Sequence, residues 1–259
     1  MKDFRKVFQI ALIIAVTAAL WLDEASTLTF ARQSVAQIWG NIASVTEFNP
    51  PLFYWMEHVL LGLGESEVVL RIGPAVLGIL TIPVFYLIGK ELLDRKTGLL
   101  AAALLAFSPF HIYYSQEARA YAMMLFFLSL AFLFLVRLLR SWGRRDAILF
   151  GAFSALAFWS HFYAFVPVLA LFVFALAVKA REIVGNIRRA EPIGIAILAF
   201  TLLSLPLLYY ALQLFGRITS TPPTTGIQGL GIITTTFVQI SGFSDVLAFL
   251  FLVLFAVGI

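Results

Sequence analysis

Residues 147–178 read AILFGAFSALAFWSHFYAFVPVLALFVFALAV, an unbroken apolar stretch with Arg144 and Arg145 just before it and Lys179 and Arg181 just after it. As one helix it would be about 48 Å long at roughly 1.5 Å per residue, against about 30 Å of bilayer hydrocarbon. A single crossing would also leave a basic cluster on each side of the membrane, against the tendency of Lys and Arg to stay in the cytoplasm. The stretch therefore reads as a hairpin of two spans that turns near Ser160 and His161. The same reasoning makes Thr97 to Val136 a second hairpin, turning between Ser108 and Arg119.

Working outward from these hairpins, further apolar runs cover Val7 to Leu22, Ile72 to Gly89, Ile193 to Leu212 and Val246 to the last residue. With the four hairpin arms, Leu99 to Phe107, Tyr121 to Val136, Ala147 to Trp159 and Tyr163 to Val178, this predicts about eight transmembrane helices. The composition agrees: 61% of the 259 residues are apolar and only 12% are charged, against roughly 45 to 50% and about 25% in a soluble domain. Such a chain lacks the polar groups to cover a water-soluble surface. With 17 Gly, 10 Pro and no Cys, collagen-like, disordered and disulfide-scaffold classes are excluded as well. The expectation is an all-α polytopic membrane protein forming a single module over residues 1–259.

Charge supplies an independent check. With the N-terminus (Lys2, Arg5, Lys6) in the cytoplasm, the inner loops collect most of the 18 Lys and Arg. Only Arg32, Arg71, Arg119 and Arg217 fall outside. Asp23, Glu24, Glu47, Glu57, Glu65, Glu67, Glu117 and Asp245 lie on the outer side with His58, His111 and His161. The basic balance is thus topology, and a nucleic-acid partner is not expected. Lys2, Arg5 and Lys6 also suit a signal peptide, but the run passes through Trp21 and Leu22 into Asp23 and Glu24 without a small-residue cleavage pattern, so an uncleaved first span is expected. The chain stops within an apolar run, which reads as truncation at the C-terminus.

The first outer segment, 23–68, is too polar to cross and too apolar to float free. Leu28, Val35, Ile38 and Trp39 recur at helical spacing opposite Arg32, Gln33 and Gln37. Leu52, Trp55, Met56, Val59, Leu60 and Leu63 form a second stripe. Both read as helices lying on the outer membrane surface. The outer segment 213–244 is rich in Thr, Gly and Pro.

Three groups of outer residues can carry chemistry. Asp23 and Glu24 stand where the first span leaves the membrane, as a general base with a raised pKa or as a hydrated pair at a helix end. Arg71 and Arg119 are among few outer cations; they bind an anion such as phosphate, or pair with Glu67 and Glu117 respectively. His161 occupies a turn close to membrane depth, where irregular backbone needs protein or a wet cavity beside it. It is an acid/base group, a metal-associated residue or a plain hydrogen-bonding histidine. Three histidines in three separate loops make no metal motif by spacing.

In order along the chain, Asp23-Glu24, Asn49-Pro-Pro-Leu-Phe-Tyr-Trp55, Ser66-Glu-Val-Val-Leu-Arg71 and Ser108-Pro-Phe-His-Ile-Tyr-Tyr-Ser-Gln-Glu-Ala-Arg-Ala-Tyr121 resemble the GT-C membrane glycosyltransferases. Within them the closest resemblance is to the branch of protein O-mannosyltransferases and lipid A aminoarabinose transferases, over about Asp23 to Leu139. The resemblance implies a GT-C-like helix bundle in the cell membrane. It also implies inverting transfer of a sugar from a polyprenyl-phosphate donor to an acceptor hydroxyl of a lipid, glycan or protein on the extracytoplasmic face. It places Asp23 as catalytic base with Glu24 beside it, Glu117 at a second acidic position, and Arg71 and Arg119 on the donor phosphate. His161 falls roughly where relatives carry a metal-associated histidine, which raises a divalent metal as a cofactor. Asn49 departs from the Lys or His of many relatives, and relatives are about twice as long, often with a soluble outer domain. The rival readings are a multi-pass transporter, with charges along a midplane path and repeated halves, and a non-catalytic polyprenyl-lipid-binding subunit.

Overall fold

The computed structural model describes residue 20, residues 22–44 and residues 49–220, with side chains as far as residue 210. Among them the regular structure is helical. Three short helices come first: α1 (Leu22–Ala31), α2 (Val35–Ala43) and α3 (Pro51–Leu60). The bundle follows as α4 (Glu67–Leu92), α5 (Arg95–Ala106), α6 (Pro109–Ser115), α7 (Tyr121–Ser141), α8 (Arg144–Ser160), α9 (Phe165–Gly185) and α10 (Glu191–Ser220). The expected spans Val7 to Leu22 and Val246 onward lie outside the described residues, apart from Leu20 and Leu22, as does most of the outer segment 213–244.

The chain breaks at both expected hairpin turns. The α8 helix ends at Ser160, His161 adopts extended backbone, and a single 3-10 turn over Phe162–Ala164 leads into α9. In the other hairpin α5 stops at Ala106, and Pro109 at the first position of α6 restarts the chain at an angle of 61°. Proline suits that position because the first helical N–H groups have no intrahelical partner. Ser108 caps the turn by accepting from the His111 N–H. Among the described residues four segments are long and apolar enough to cross a membrane: Glu67–Leu92, Tyr121–Ser141, Phe162–Gly185 and Ile187–Tyr210. The bent α5–α6 pair makes a fifth candidate. The α8 helix, at 17 residues, is the short arm of its hairpin.

The first stripe, Leu28 to Trp39, falls on two helices, α1 and α2, where one continuous helix was expected. Ser34 explains the break: its hydroxyl accepts from the Gln37 N–H while the Gln37 side chain accepts from the Ser34 N–H. That reciprocal cap starts a new helix and ends the register begun in α1. The stripe on α3 is also oriented differently. Phe53, Tyr54 and Glu57 face inward, whereas Val59 and Leu63 are exposed. With hydrocarbon outside, an apolar side chain gains nothing by turning inward.

Three apolar clusters hold the bundle. Leu135, Leu138, Phe150, Val168 and Phe172 join α7, α8 and α9. Val84, Ile88 and Leu133 join α4 to α7. Ile38, Ile42, Phe53, Tyr54, Met123, Phe158 and Leu207 fasten α2 and α3 to α7, α8 and α10. Trp39, stacked on Trp159 at 5.9 Å and near Trp55 and Tyr210, extends that last cluster. The α4 and α5 helices approach closely at Gly89 and Gly98, where an added Cβ on Gly98 would meet the Tyr86 carbonyl at 2.5 Å. At the basic end of the bundle, Glu91 pairs with Arg137 and Arg140, Arg144 with Glu191, and Glu182 with Lys179 and Arg189.

Candidate active site

The end of the bundle opposite these pairs gathers the residues singled out in the sequence. Asp23 and Glu24 lie in the first turn of α1, where unsatisfied N–H groups favour negative charge. Ser66 caps α4 by accepting from Val69, which places Arg71 just over one turn into that helix. Glu117, Ala118 and Arg119 form the short link between α6 and α7.

Glu24 and Arg71 form a two-pronged ion pair. Arg71 Nε donates to Glu24 Oε1 at 3.0 Å and Nη2 to Oε2 at 2.6 Å. Glu24 has no exposed surface, and Arg71 retains 5%. The Ala118 N–H also donates to Glu24 Oε1, at 2.9 Å. A single buried carboxylate thus ties α1, α4 and the α6–α7 link together. The pairing of Arg71 with the neighbouring Glu67, weighed in the sequence, gives way to this partner, because the fold brings α1 onto the start of α4.

Arg119 sits between this acid cluster and a cleft. Its Nη1 donates to the Asp23 backbone carbonyl at 3.5 Å, and with Asn49, Phe53, Tyr54, Ala120 and His161 it lines a recess. The volume of the recess, about 10 Å³, is roughly what one water needs. Asp23 is half-buried, and its carboxylate has no hydrogen bond or ion pair among the described residues.

Glu117 is buried, with Oε2 unbonded among the described residues. Burial raises its pKa; a hydrogen bond from the Tyr113 hydroxyl opposes this, and the Glu24 charge raises it again. His161 lies between Tyr121, stacked at 5.6 Å, and Tyr163, at 4.8 Å. Burial, and then the charge of Arg119, push its pKa down to about 4.

The structure therefore brings Asp23, Glu24, Arg71, Glu117 and Arg119 together, with His161 beside Arg119 across the cleft. It separates their surroundings: Arg71 and Glu24 are committed to each other, and Arg119 and His161 reach the recess. Tyr54 and Tyr113, unassigned by the sequence reading, join the cleft wall and the Glu117 carboxyl. Tyr54 stands within the quoted Asn49 to Trp55 motif and Tyr113 within the quoted Ser108 to Tyr121 motif, so both positions were available as signals.

One further acid was noted in the sequence only for its side. Glu57 on α3 has no exposed surface, and neither carboxylate oxygen has a hydrogen-bond partner among the described residues. It faces Gly73 of α4, where an added Cβ would come within 3.1 Å of Oε1. Burial pushes its pKa up to about 8.

Residues 49–219 match the dolichyl-phosphate-mannose-protein mannosyltransferase family. The chain belongs to that family, a branch of the GT-C membrane glycosyltransferases. No curated protein and no solved structure matches it.

Proposed function

We propose that the protein transfers a sugar from a polyprenyl-phosphate donor to an acceptor hydroxyl, on the extracytoplasmic face of the cell membrane and with inversion at the anomeric carbon. The observation that carries this reading is the contact between Arg119 and Asp23. A cation on a cleft is held against the residue whose carboxylate is left unengaged, at the end of an apolar bundle. A donor with a hydrocarbon tail presents its phosphate at that depth.

In this mechanism the acceptor hydroxyl gives its proton to Asp23 as its oxygen attacks the anomeric carbon from the face opposite the phosphate. The bond between that carbon and the phosphate oxygen breaks, and its electron pair leaves with the polyprenyl phosphate. Arg119 stabilises the charge gathering on the leaving phosphate. Arg71, enclosed by Glu24, supports the phosphate region by fixing α1 and the α6–α7 link, and Glu117 supplies the second acidic position beside Asp23.

A multi-pass transporter and a non-catalytic lipid-binding subunit predict no sugar transfer. The test is a transfer assay on the full chain with a panel of radiolabelled polyprenyl-phosphate sugars. Asp23→Asn is expected to abolish turnover while donor binding persists. Arg119→Ala is expected to weaken donor binding by about tenfold to a hundredfold, the usual worth of a hydrogen bond to a charged group. Unchanged turnover in Asp23→Asn refutes the base assignment, and unchanged donor affinity in Arg119→Ala refutes the phosphate site.

A further inference from the structure

The backbone around His161 determines which ring nitrogen carries the proton. The Tyr163 N–H points at His161 Nδ1, 3.2 Å away, so Nδ1 must accept. A neutral imidazole with an accepting Nδ1 carries its hydrogen on Nε2. Nε2 has no protein partner among the described residues, and the residue lines the cleft with Arg119.

This arrangement does not fit a metal ligand. A histidine that binds a metal through one nitrogen needs a lone pair there and ordinarily donates its other N–H to a carbonyl or carboxylate. Here the other nitrogen faces a donor, so ligation through Nε2 would require breaking the Tyr163 bond or forming an imidazolate. Among the described residues no group of three His, Cys, Asp or Glu is placed to hold a metal ion. The same tautomer leaves Nε2 no lone pair with which to act as a general base.

We infer that His161 is a fixed hydrogen-bond donor, its Nε2–H directed with the Arg119 guanidinium at a phosphoryl oxygen in the cleft. This rests on the reading of the cleft as the donor-phosphate site, and it adds a positioning group that the arginine alone does not provide. The lining supports an anionic ligand: Arg119 and His161 both offer N–H groups, and no carboxylate is among the residues that line the recess. Burial and the neighbouring guanidinium keep the ring neutral over the physiological range.

The test combines a signal from the ring with a binding measurement on the full chain in detergent. In protein labelled with 15N-histidine, the resonances lost in His161→Gln identify His161, and an Nε2–H tautomer is expected. Dolichyl phosphate is the binding probe, with dolichol and inorganic phosphate as separate arms. His161→Ala is expected to lose about tenfold or more in affinity for dolichyl phosphate. His161→Gln, whose amide nitrogen reaches a similar position, is expected to restore most of that loss. Dolichol affinity should not change between these variants. If inorganic phosphate alone reproduces the pattern, the site recognises the phosphate group wherever it comes from, which also supports the donor role.

An Nδ1–H tautomer, unchanged affinity in His161→Ala, or a Zn²⁺-induced shift of the His161 resonances with chelator-sensitive affinity would each overturn the inference. Failure of the wild-type chain to bind dolichyl phosphate or inorganic phosphate refutes the phosphate site itself, and with it this ligand. The Nε2–H resonance then still reports the tautomer, so the two failures are distinguishable.

Discussion

Replacing Glu57 with Leu removes a buried acid that has no hydrogen-bond partner among the described residues, and the structure gives the size and sign of the effect. Burial raises the carboxyl from an ordinary 4.5 to about 8. Between those values the folded chain holds a proton on Glu57 that the unfolded chain releases, so the contribution of Glu57 to folding stability is greatest below pH 4.5 and declines until pH passes 8. At about 1.4 kcal/mol per pH unit the whole gap is worth roughly 5 kcal/mol, of which about 3 to 4 kcal/mol falls between pH 5 and pH 8. Leu has a similar volume and does not titrate, so Glu57→Leu should be the more stable protein, by a margin that widens as pH rises. Glu57→Gln also loses the pH dependence, but it buries an amide with unmet hydrogen bonds and should gain little at pH 5. The assay is the thermal unfolding midpoint of the detergent-solubilised protein, followed by tryptophan fluorescence from pH 5 to pH 8. Its informative quantity is the difference between variant and wild type, because every other ionisable group is common to both. A difference that stays constant across that range would refute the claim that Glu57 is held neutral by its burial.

Breaking the Glu24–Arg71 pair by Glu24→Gln should destabilise the protein by about 3 to 5 kcal/mol, because it leaves a buried guanidinium without its counter-charge. The double variant Glu24→Gln with Arg71→Met should recover part of that loss in the same unfolding assay. Gly98→Ala places a methyl group against the Tyr86 carbonyl; an overpacked helix crossing of this kind should cost about 1 to 3 kcal/mol in unfolding midpoint measurements. His161 has its folded pKa lowered to about 4 from an ordinary 6.5, so its neutral form supports the fold and stability is lost as pH falls from 6.5 towards 4. His161→Gln should flatten that acid limb, and an unaltered limb would show that the ring is already charged or solvated in the fold.

Much of the architecture was legible from residue order. The two hairpins follow from stretches too long for one crossing with basic residues at both ends, and their turns fall at Ser160–His161 and in 107–120, as expected. Helices within 23–68 follow from their periodicity. The reciprocal cap of Ser34 and Gln37 was present in the sequence as well, and it accounts for the break that a stripe of apolar residues alone conceals.

The candidate site was legible as a set of residues but not as a set of contacts. Sparse charge made Asp23, Glu24, Arg71, Glu117 and Arg119 conspicuous, because in an apolar chain each ionised group must meet water or a partner. Their partners were decided by the fold: Glu24 meets Arg71 across 47 residues and the Ala118 N–H across 94, separations that no local pattern encodes. The same holds for Glu57, which hydropathy places only on the outer side of the membrane. Sequence by itself determined the membrane class, the hairpin turns and the short roster of charges, since these depend on local transfer free energy and chain length. Tertiary structure alone decided which arginine is enclosed and which lines the cleft, and which way α3 turns. Those outcomes depend on groups meeting within hydrogen-bonding distance after distant segments have packed.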